Sequence, residues 1–456
     1  MNDLTTYLET HKTQHLEELK ELLSIPSVST DPSHKADVLR AAQWVKTSME
    51  NAGLSTAIHD TPGHPIVYGE WLHAGSDAPT VLYYGHYDVQ PPDPLELWDT
   101  GPFEPTVRDG KIYARGAADD KGQFLTHIKA LEAHMQVRGT LPINVKMLIE
   151  GEEEVGSKNL APYLEAHKKA LEADVVVISD THMFAPGVPS ITYGLRGLTY
   201  FELEIEGPSH DLHSGLYGGG VANPINVLCD VIAKLKDEQG QITIDGFYDD
   251  VLELTEQERT AWSALPFDEE GFRTESGSEQ LTGEHGFTTL ERVWARPTLD
   301  CNGILGGFTG TGAKTVLPQK ATAKFSCRLV PNQEPRDIEA KVEAHLAKVI
   351  PPTVRFKLTR MHGGQPVIVS TASPAIQAAS RALSEAFKGE TVLVRGGGSI
   401  PVVADFKKLL GIDSVLMGFG LSDDRLHSPN EKFNLDQYYG GILASTLFID
   451  EMVSPA

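Results

Sequence analysis

Several short polar clusters carry residue types that bind metals or transfer protons, and they follow apolar runs. His86 and Asp88 end the segment TVLYYGHYDV, with an i, i+2 spacing that puts both side chains on one face of an extended chain. Asp119 and Asp120 stand between two glycines, just before a helix-like segment. Taken singly, such clusters are more often structural histidines or capped turns than metal sites.

The remaining clusters also follow strand-like runs. The segment INVKMLIEGEEEVGS ends in four glutamates: Glu150, Glu152, Glu153 and Glu154. Ionised carboxylates packed this closely repel one another unless solvent or a bound cation compensates. Asp180 directly follows VVVIS, and His427 lies in SDDRLHSPNEK. Ligands of open α/β sheets gather at the carboxyl ends of strands. The pattern therefore favours one metal site built from five residues: His86, Asp119, Glu154, Asp180 and His427.

A chain of 456 residues predicts more than one hydrophobic core. Two different patterns of strand-like and helix-like segments occur along it. Apolar strand-like runs separated by helical stretches fill residues 1–192 and return over 365–456, which predicts an α/β layer. Between them, residues 193–364 read as separate strands and helices with a polar, loop-rich stretch near 245–300. We interpret the middle segment as an α+β domain inserted into the first.

Composition excludes several classes of partner. The formal charge of −24 argues against nucleic acid and against an anionic membrane surface. No run of eighteen apolar residues occurs, and the first residues lack the apolar core of a signal peptide, so we expect a cytoplasmic protein. Three scattered cysteines are too few for a disulfide framework or a cysteine-rich zinc site.

The motifs, taken in order, resemble those of the M20 metallopeptidase family, and most closely its carnosinase-like cytosolic dipeptidases. They are GHYDV, RGAADDKG, EGEEEVGS, SDTHM, ITYGLRG, HDLHSG, GTGAKTVLP, FSCRLVP, GGGSIPV and HSPNEK. Each is modest alone, but the ordered set is specific. Ala114 and Ala118 depart from the residues common in the family, and neither is a ligand position. The resemblance implies a zinc-peptidase-like catalytic domain, with a mixed sheet flanked by helices, and an inserted lid and dimerisation domain.

The same resemblance implies a dinuclear metal site. His86, Asp119 and Asp180 would hold one divalent cation, and Asp119, Glu154 and His427 the other, so that Asp119 bridges. Three carboxylates and a bridging hydroxide would nearly neutralise two divalent cations. Zn²⁺ is the favoured metal, with Mn²⁺ and Co²⁺ as alternatives. The resemblance further implies a cis peptide between Asp119 and Asp120.

Roles for other residues follow from the family match alone. Glu153 would be the general base for the metal-bridging hydroxide, Asp88 would orient His86, and His213 would stabilise the oxyanion. A second group would bind the free carboxylate of a small peptide substrate: Arg328, Thr315, His362 and Ser399. Arg196 also matches a family motif, without a definite role.

The resemblance implies a homodimer paired through the inserted domain, with His213 reaching the metals of the other subunit. The expected reaction is hydrolysis of dipeptides or similar small peptides. Alternatives are an M20 aminoacylase or deacylase acting on N-acyl amino acids, a carboxypeptidase, a catalytically inert metal-binding scaffold, and a metallophosphatase. The long insert with WARPTLDCNGI and the segments GTGAKTVLP and GGGSIPV favour the dipeptidase.

Overall fold

The computed structural model of the protein describes residues 2–398 and 400–454, and its chain divides into two compact units. The first comprises residues 1–193, 369–394 and 405–456, and the second comprises residues 194–368 and 395–404. The sequence placed 193–364 in the insert. In the structure, the segment 395–404 also groups with the second unit.

The first unit contains a mixed sheet and long helices. Its helices are α1 (Asn2–Leu23), α2 (Lys35–Asn51), α3 (Lys121–Arg138), α4 (Leu160–Ala166), α11 (Pro374–Phe387) and α13 (Leu435–Glu451). Its strands are β1 (Ser55–His59), β2 (Ile66–Trp71), β3 (Thr80–His86), β4 (Thr106–Arg108), β5 (Lys111–Tyr113), β6 (Asn144–Glu150), β7 (Val175–Ile178), β17 (Ser414–Leu416) and β18 (Lys432–Asn434). Strand β8 (Ser190–Leu195) begins in this unit and ends in the second, as does β16 (Val392–Gly396).

The sheet runs in the order β1, β2, β6, β3, β7, β17, β8. Strands β6, β3, β7 and β17 run parallel to one another, whereas β2 pairs antiparallel with both β1 and β6, and β8 pairs antiparallel with β17. The parallel strands β6 and β7 are buried at every position, as their apolar runs predict. The described part of the chain holds no helix long and apolar enough to cross a membrane.

The second unit is an α+β domain. Its remaining strands are β9 (Gly197–Glu206), β10 (Leu212–His213), β11 (Thr298–Gly306), β12 (Val316–Leu317), β13 (Lys320–Leu329), β14 (Arg355–Gly364) and β15 (Val367–Ile368). Its helices are α5 (Ser214–Tyr217), α6 (Pro224–Ala233), α7 (Glu256–Ser263), α8 (Glu269–Glu275), α9 (Thr289–Trp294), α10 (Pro335–Val349) and α12 (Pro401–Asp405), the last of which ends at the unit boundary.

Four antiparallel strands form the main sheet of this unit, in the order β11, β13, β9, β14. Strand β9 alternates strictly between buried and half-buried residues. Its buried face, which carries Phe201, Leu203 and Ile205, packs in one core cluster with Leu228 of α6 and Val342 of α10. The opposite face of β13 carries polar side chains, among them Lys324, Ser326 and Arg328.

The loop-rich stretch that the sequence predicted near 245–300 contains three short helices. Helices α7 and α9 begin with reciprocal capping boxes, in which Thr255 pairs with Glu258 and Thr288 pairs with Glu291. Asp268 caps α8 through the backbone N–H of Gly271. Helices this short give little periodic signal, because two turns hold only one or two apolar positions on a face.

Candidate metal centre

Three neighbouring parallel strands of the first unit end at the same edge of the sheet. His86 is the last residue of β3, and it lies opposite Glu150, the last residue of β6. The turn that follows β6 holds Glu153 and Glu154, and Asp180 lies two residues beyond β7. Because β3 pairs with both β6 and β7, these carboxylates and the imidazole converge.

Asp119 connects two groups of side chains that could hold a metal ion. Its Oδ1 lies 3.1 Å from Nε2 of His86, and its Oδ2 lies 2.9 Å from Nε2 of His427. His86 Nε2 is also 3.8 Å from Oδ2 of Asp180, and His427 Nε2 is 3.3 Å from Oε2 of Glu154. In each group, the ligand atoms all lie within 4.8 Å of one another. The carboxylate of Asp119 therefore offers one oxygen to each group, and the peptide that follows it is cis.

The imidazole of His86 is arranged as a metal ligand would be. The ring is fully buried, and its Nδ1 donates to the backbone carbonyl of Asp88 at 3.1 Å. A carbonyl oxygen only accepts, so Nδ1 carries a proton, and the neutral ring would present the lone pair of Nε2 to a cation. Within residues 2–398 and 400–454, nothing completes a hydrogen bond to that Nε2. A buried lone pair that faces two carboxylates fits a cation.

The electrostatics of the cluster also fit a cation. Burial, followed by the charge of Asp119, raises the pKa of Asp180 to about 7. Burial raises the pKa of Glu153 to about 8, and the charges of Asp180, Glu154 and Asp88 add to the rise against the opposing effect of His86. The protein alone thus holds more carboxylates here than it can keep ionised near neutrality, which divalent cations would correct.

Asp88 links the histidine to the glutamate turn. Its carboxylate accepts the backbone N–H of Glu153 at 3.2 Å and that of Glu154 at 3.1 Å. Its Oδ1 also lies 3.4 Å from Nδ1 of His86. Gln90 donates from Nε2 to Oε2 of Glu154 at 2.8 Å. Residues 88–90, directly after β3, therefore orient both His86 at the end of β3 and the two glutamates in the turn after β6.

Glu431 holds the loop that presents Asp119, and motif reading missed it. Its fully buried carboxylate accepts the backbone N–H groups of Gly116 at 2.9 Å, Ala118 at 3.0 Å and Asp119 at 3.2 Å. Arg115 donates to the same carboxylate from Nη1 at 2.7 Å. The available signal was its place in HSPNEK, four residues after His427.

Two of the residues assigned to the substrate by resemblance lie together in the second unit. His213 ends β10 and is exposed, and its Nδ1 accepts the backbone N–H of Gly215 at 3.0 Å. Opposite it, β12 begins one residue after Thr315, whose carbonyl accepts the N–H of Ser214 at 3.1 Å. Leu216 and Tyr217 follow in α5 with 78% and 46% of their surface exposed.

The other predicted substrate residues belong to the main sheet of that unit, apart from Ser399, which lies outside the described residues. Arg328 is half-buried on β13, and His362 is exposed on β14. Arg196 donates from Nε to the carbonyl of Gly397 at 2.9 Å. Burial, with the nearby charge of Arg328, lowers the pKa of Arg196 to about 10.

The family model of peptidase family M20/M25/M40 matches residues 82–451. The chain belongs to this metallopeptidase family. Along its full length it is 36% identical to the Cys-Gly metallodipeptidase dug1 of Schizosaccharomyces pombe, of which 98% is covered. It is 34% identical to the Beta-Ala-His dipeptidase of Homo sapiens, over 98% of this chain and 91% of that protein.

Solved structures agree with this placement. An M20 family metallo-carboxypeptidase from Sulfolobus solfataricus superposes with a TM-score of 0.82 at 34% identity, covering 96% of this chain and 99% of the other. These matches confirm the mixed α/β peptidase fold expected from the motifs. The chain is therefore an enzyme of the metallopeptidase class.

Proposed function

We propose that the protein hydrolyses the peptide bond of dipeptides or similar small peptides, using two divalent cations per subunit. The observation that carries this proposal is the division of the Asp119 oxygens between His86 and His427. His86, Asp119 and Asp180 would hold one cation, and Asp119, Glu154 and His427 the other. The names of the relatives, a Cys-Gly dipeptidase and a Beta-Ala-His dipeptidase, support the substrate class.

Glu153 is the proposed general base. Bound cations at such a site lower the pKa of water and polarise a carbonyl oxygen. Glu153 then accepts a proton from the attacking water and returns it to the leaving nitrogen as the C–N bond breaks, giving a carboxylate and an amine. Glu153 suits this role because it lies beside the cluster without belonging to either ligand group, while Asp88 fixes its backbone.

Arg328 is proposed to bind the free carboxylate of the substrate, together with Thr315, His362 and Ser399. A guanidinium matches a carboxylate with two parallel hydrogen bonds. In the described structure, Arg328 is half-buried on the polar face of the sheet, where a small anion could reach it. His213 is the proposed donor to the oxyanion.

We further propose that two chains pair through the second unit and that His213 serves the partner subunit's metal site. Support comes from exposed apolar side chains of this unit, since such groups are typical of interfaces. Leu216 and Tyr217 follow His213 directly, and the edge strand β11 exposes 54% of Ile304 and 68% of Leu305. We also propose a cytoplasmic location, because none of the three cysteines, all within the described residues, is in a disulfide.

A panel of free dipeptides, N-acetyl amino acids and longer peptides tests the proposed activity. The protein is stripped of metal, checked by elemental analysis, and reloaded with Zn²⁺, Mn²⁺ or Co²⁺. We expect hydrolysis of dipeptides only after reloading, with two equivalents bound. A carboxypeptidase is the second candidate, favoured by the likeness to the Sulfolobus enzyme, and it would release C-terminal residues from longer peptides. Full activity in the metal-free protein would contradict the mechanism.

A further inference from the structure

Strand β14 contains an irregularity directly beside one of the proposed substrate residues. Its pairing with β9 is regular up to Arg360, which lies opposite Phe201, and it resumes at Gly363, opposite Thr199. Met361 and His362 are thus two residues set against one, Tyr200. This is the arrangement of a β-bulge, in which one strand holds an extra residue.

The bulge decides which face of the sheet His362 occupies. Phe201 belongs to the core covered by helices, so Arg360 opposite it lies on that face, and Tyr200 lies on the other. Regular alternation after Arg360 would put Met361 on the open face and return His362 to the covered face. With the extra residue, His362 stays on the open face beside Tyr200. Met361, the other residue of the bulge, is 50% exposed.

The rings of Tyr200 and His362 are stacked. Their centroids lie 5.1 Å apart, and their planes differ by 17°. An exposed imidazole on an edge strand has several rotamers open to it, and a parallel aromatic neighbour restricts the ring to one orientation. Tyr200 is half-buried, so it is itself better fixed than the histidine.

Arg328 shares this open face. It lies opposite Leu198 on β9, two residues from Tyr200, and Ser326 on the same strand lies opposite Tyr200 itself. Two neighbouring strands of a sheet are about 4.8 Å apart, so β13 and β14 are separated by roughly 10 Å across β9. A long guanidinium and a stacked imidazole can span that gap and meet at one carboxylate.

We propose that Tyr200 is a positioning residue, which together with the bulge at Met361 and His362 aims the imidazole at the carboxylate held by Arg328. The proposal rests on the proposed function, because it assumes a substrate with a free carboxylate. Tyr200 would then affect the binding of the substrate and not the chemical step, so removing its ring should raise KM and leave kcat unchanged. Ring stacking of this kind corresponds to a change of about three- to tenfold.

Four variants of the full-length protein test the role of Tyr200: Tyr200→Leu, Tyr200→Phe, His362→Ala, and the double variant Tyr200→Leu with His362→Ala. We expect Tyr200→Leu to raise KM for a free dipeptide by about three- to tenfold with kcat retained, and Tyr200→Phe, which keeps the ring, to behave like wild type. In the His362→Ala background, Tyr200→Leu should have no further effect. Thr359→Ala, a change at an exposed residue of the same strand outside the bulge, is the matched control and should leave both constants unchanged.

A second readout does not depend on turnover. The ring proton signal of His362, identified in labelled protein by its loss in His362→Ala, should move in Tyr200→Leu and stay in place in Tyr200→Phe. Near-ultraviolet circular dichroism checks that every variant is folded. An inactive wild type would contradict the proposed function. An active wild type, with equal KM in Tyr200→Leu or with additive effects in the double variant, would overturn the role of Tyr200.

Discussion

The carboxylate of Glu431 accepts the backbone N–H of Asp119, so a residue from the loop before β18 fixes the residue that both metal groups share. The same carboxylate accepts two further N–H groups of the Asp119 loop, from Gly116 and Ala118, and a hydrogen bond from buried Arg115. The loop therefore depends on one acceptor that takes four donors.

Replacing that acceptor should weaken metal binding. In Glu431→Gln, one oxygen becomes an NH₂ group that faces donors, and Arg115 loses its countercharge. We expect the affinity for Zn²⁺ to fall about 10- to 100-fold, the range typical of residues that orient metal ligands. Competition with a chromophoric chelator measures the affinity. Asp450→Asn, which removes the charge of a half-buried partner of Arg138 far along the chain from the candidate site, is the control. Unchanged affinity in Glu431→Gln would show that the loop holds its shape without this carboxylate.

Replacement of the adjacent residues Glu153 and Glu154 should have different effects. Glu153→Gln should lower kcat by roughly 10²- to 10⁴-fold, because a proton acceptor is lost, while two metal equivalents remain bound. Glu154→Gln should instead lower metal occupancy, since Oε2 of Glu154 lies 3.3 Å from Nε2 of His427, one of the two other members of its proposed ligand group. Parallel measurement of kcat and of metal content by elemental analysis separates the cases. Exchanged phenotypes would mean that base and ligand have been assigned one residue out of register.

Buried His127 should make the first unit sensitive to acid. Its Nε2 lies 2.8 Å from Ser179 Oγ, which donates to the carbonyl of Met417, so Nε2 must donate and Nδ1 accepts from Ser445. Burial lowers the pKa of His127 from 6.5 to about 3. Between these two pH values, the imidazole of His127 is protonated in the unfolded chain and neutral in the folded chain. The stabilisation is complete above pH 6.5 and is lost as pH falls from 6.5 towards 3.

His127→Gln keeps an N–H donor and removes the titration. Between pH 7 and pH 5, the free energy of unfolding of wild type should fall by about 2 kcal/mol more than that of the variant. Denaturant unfolding of both proteins at pH 7, 6 and 5, with chelator present, measures this difference. The two proteins share all other titrating groups, so the contributions of the proposed metal ligands cancel when the two pH dependences are compared. Parallel pH dependences would contradict the assignment of a neutral buried histidine.

The sequence was informative where chemistry is local. Apolar runs that end near His86, Glu150 and Asp180 predicted buried strands whose carboxyl ends share one site, and the structure brings those strand ends together. The β-bulge at His362 could not be predicted in this way, because its register is set by pairing with β9, a strand more than 150 residues away. A one-residue shift leaves no trace in local composition.

Glu431 escaped sequence reasoning for a related reason. A glutamate next to a lysine in a turn is usually solvent-exposed, and nothing local shows that its carboxylate is fully buried beneath a loop more than 300 residues earlier. The short helices α7 to α9 were missed because their caps, rather than their apolar pattern, define them. In each case, a distant partner or a single hydrogen bond carries the information.

Amidation of the substrate's carboxylate should lower kcat/KM if Arg328 binds that carboxylate. Loss of a charge-assisted hydrogen bond corresponds to about 1.5–3 kcal/mol, so kcat/KM for an amidated dipeptide should be roughly 10- to 150-fold lower. Arg328→Met should remove this preference by slowing the free dipeptide. Lys324→Met, on the same face of β13, is the matched control. Equal turnover of free and amidated dipeptides by wild type would refute the role.

A shared active site can be tested by mixing two inactive proteins. His213→Ala and Glu153→Ala are prepared separately, and each should be inactive because one lacks the oxyanion donor and the other the base. His213 caps only a four-residue helix and is exposed, so its removal should leave the fold intact. Thermal unfolding and size measurement of each variant confirm that it is folded and dimeric before mixing.

Co-expression then distinguishes a donor from the same chain and one from the partner. If the donor is His213 of the partner subunit, a mixed dimer has one site with an intact Glu153 and a borrowed His213, and a second site that lacks both groups. Random assortment makes half of the dimers mixed, so roughly a quarter of wild-type activity should return. If each chain uses its own His213, every site lacks one group and mixing restores nothing. Dipeptide hydrolysis measured on the co-expressed dimer, with its composition confirmed by mass, decides between these arrangements.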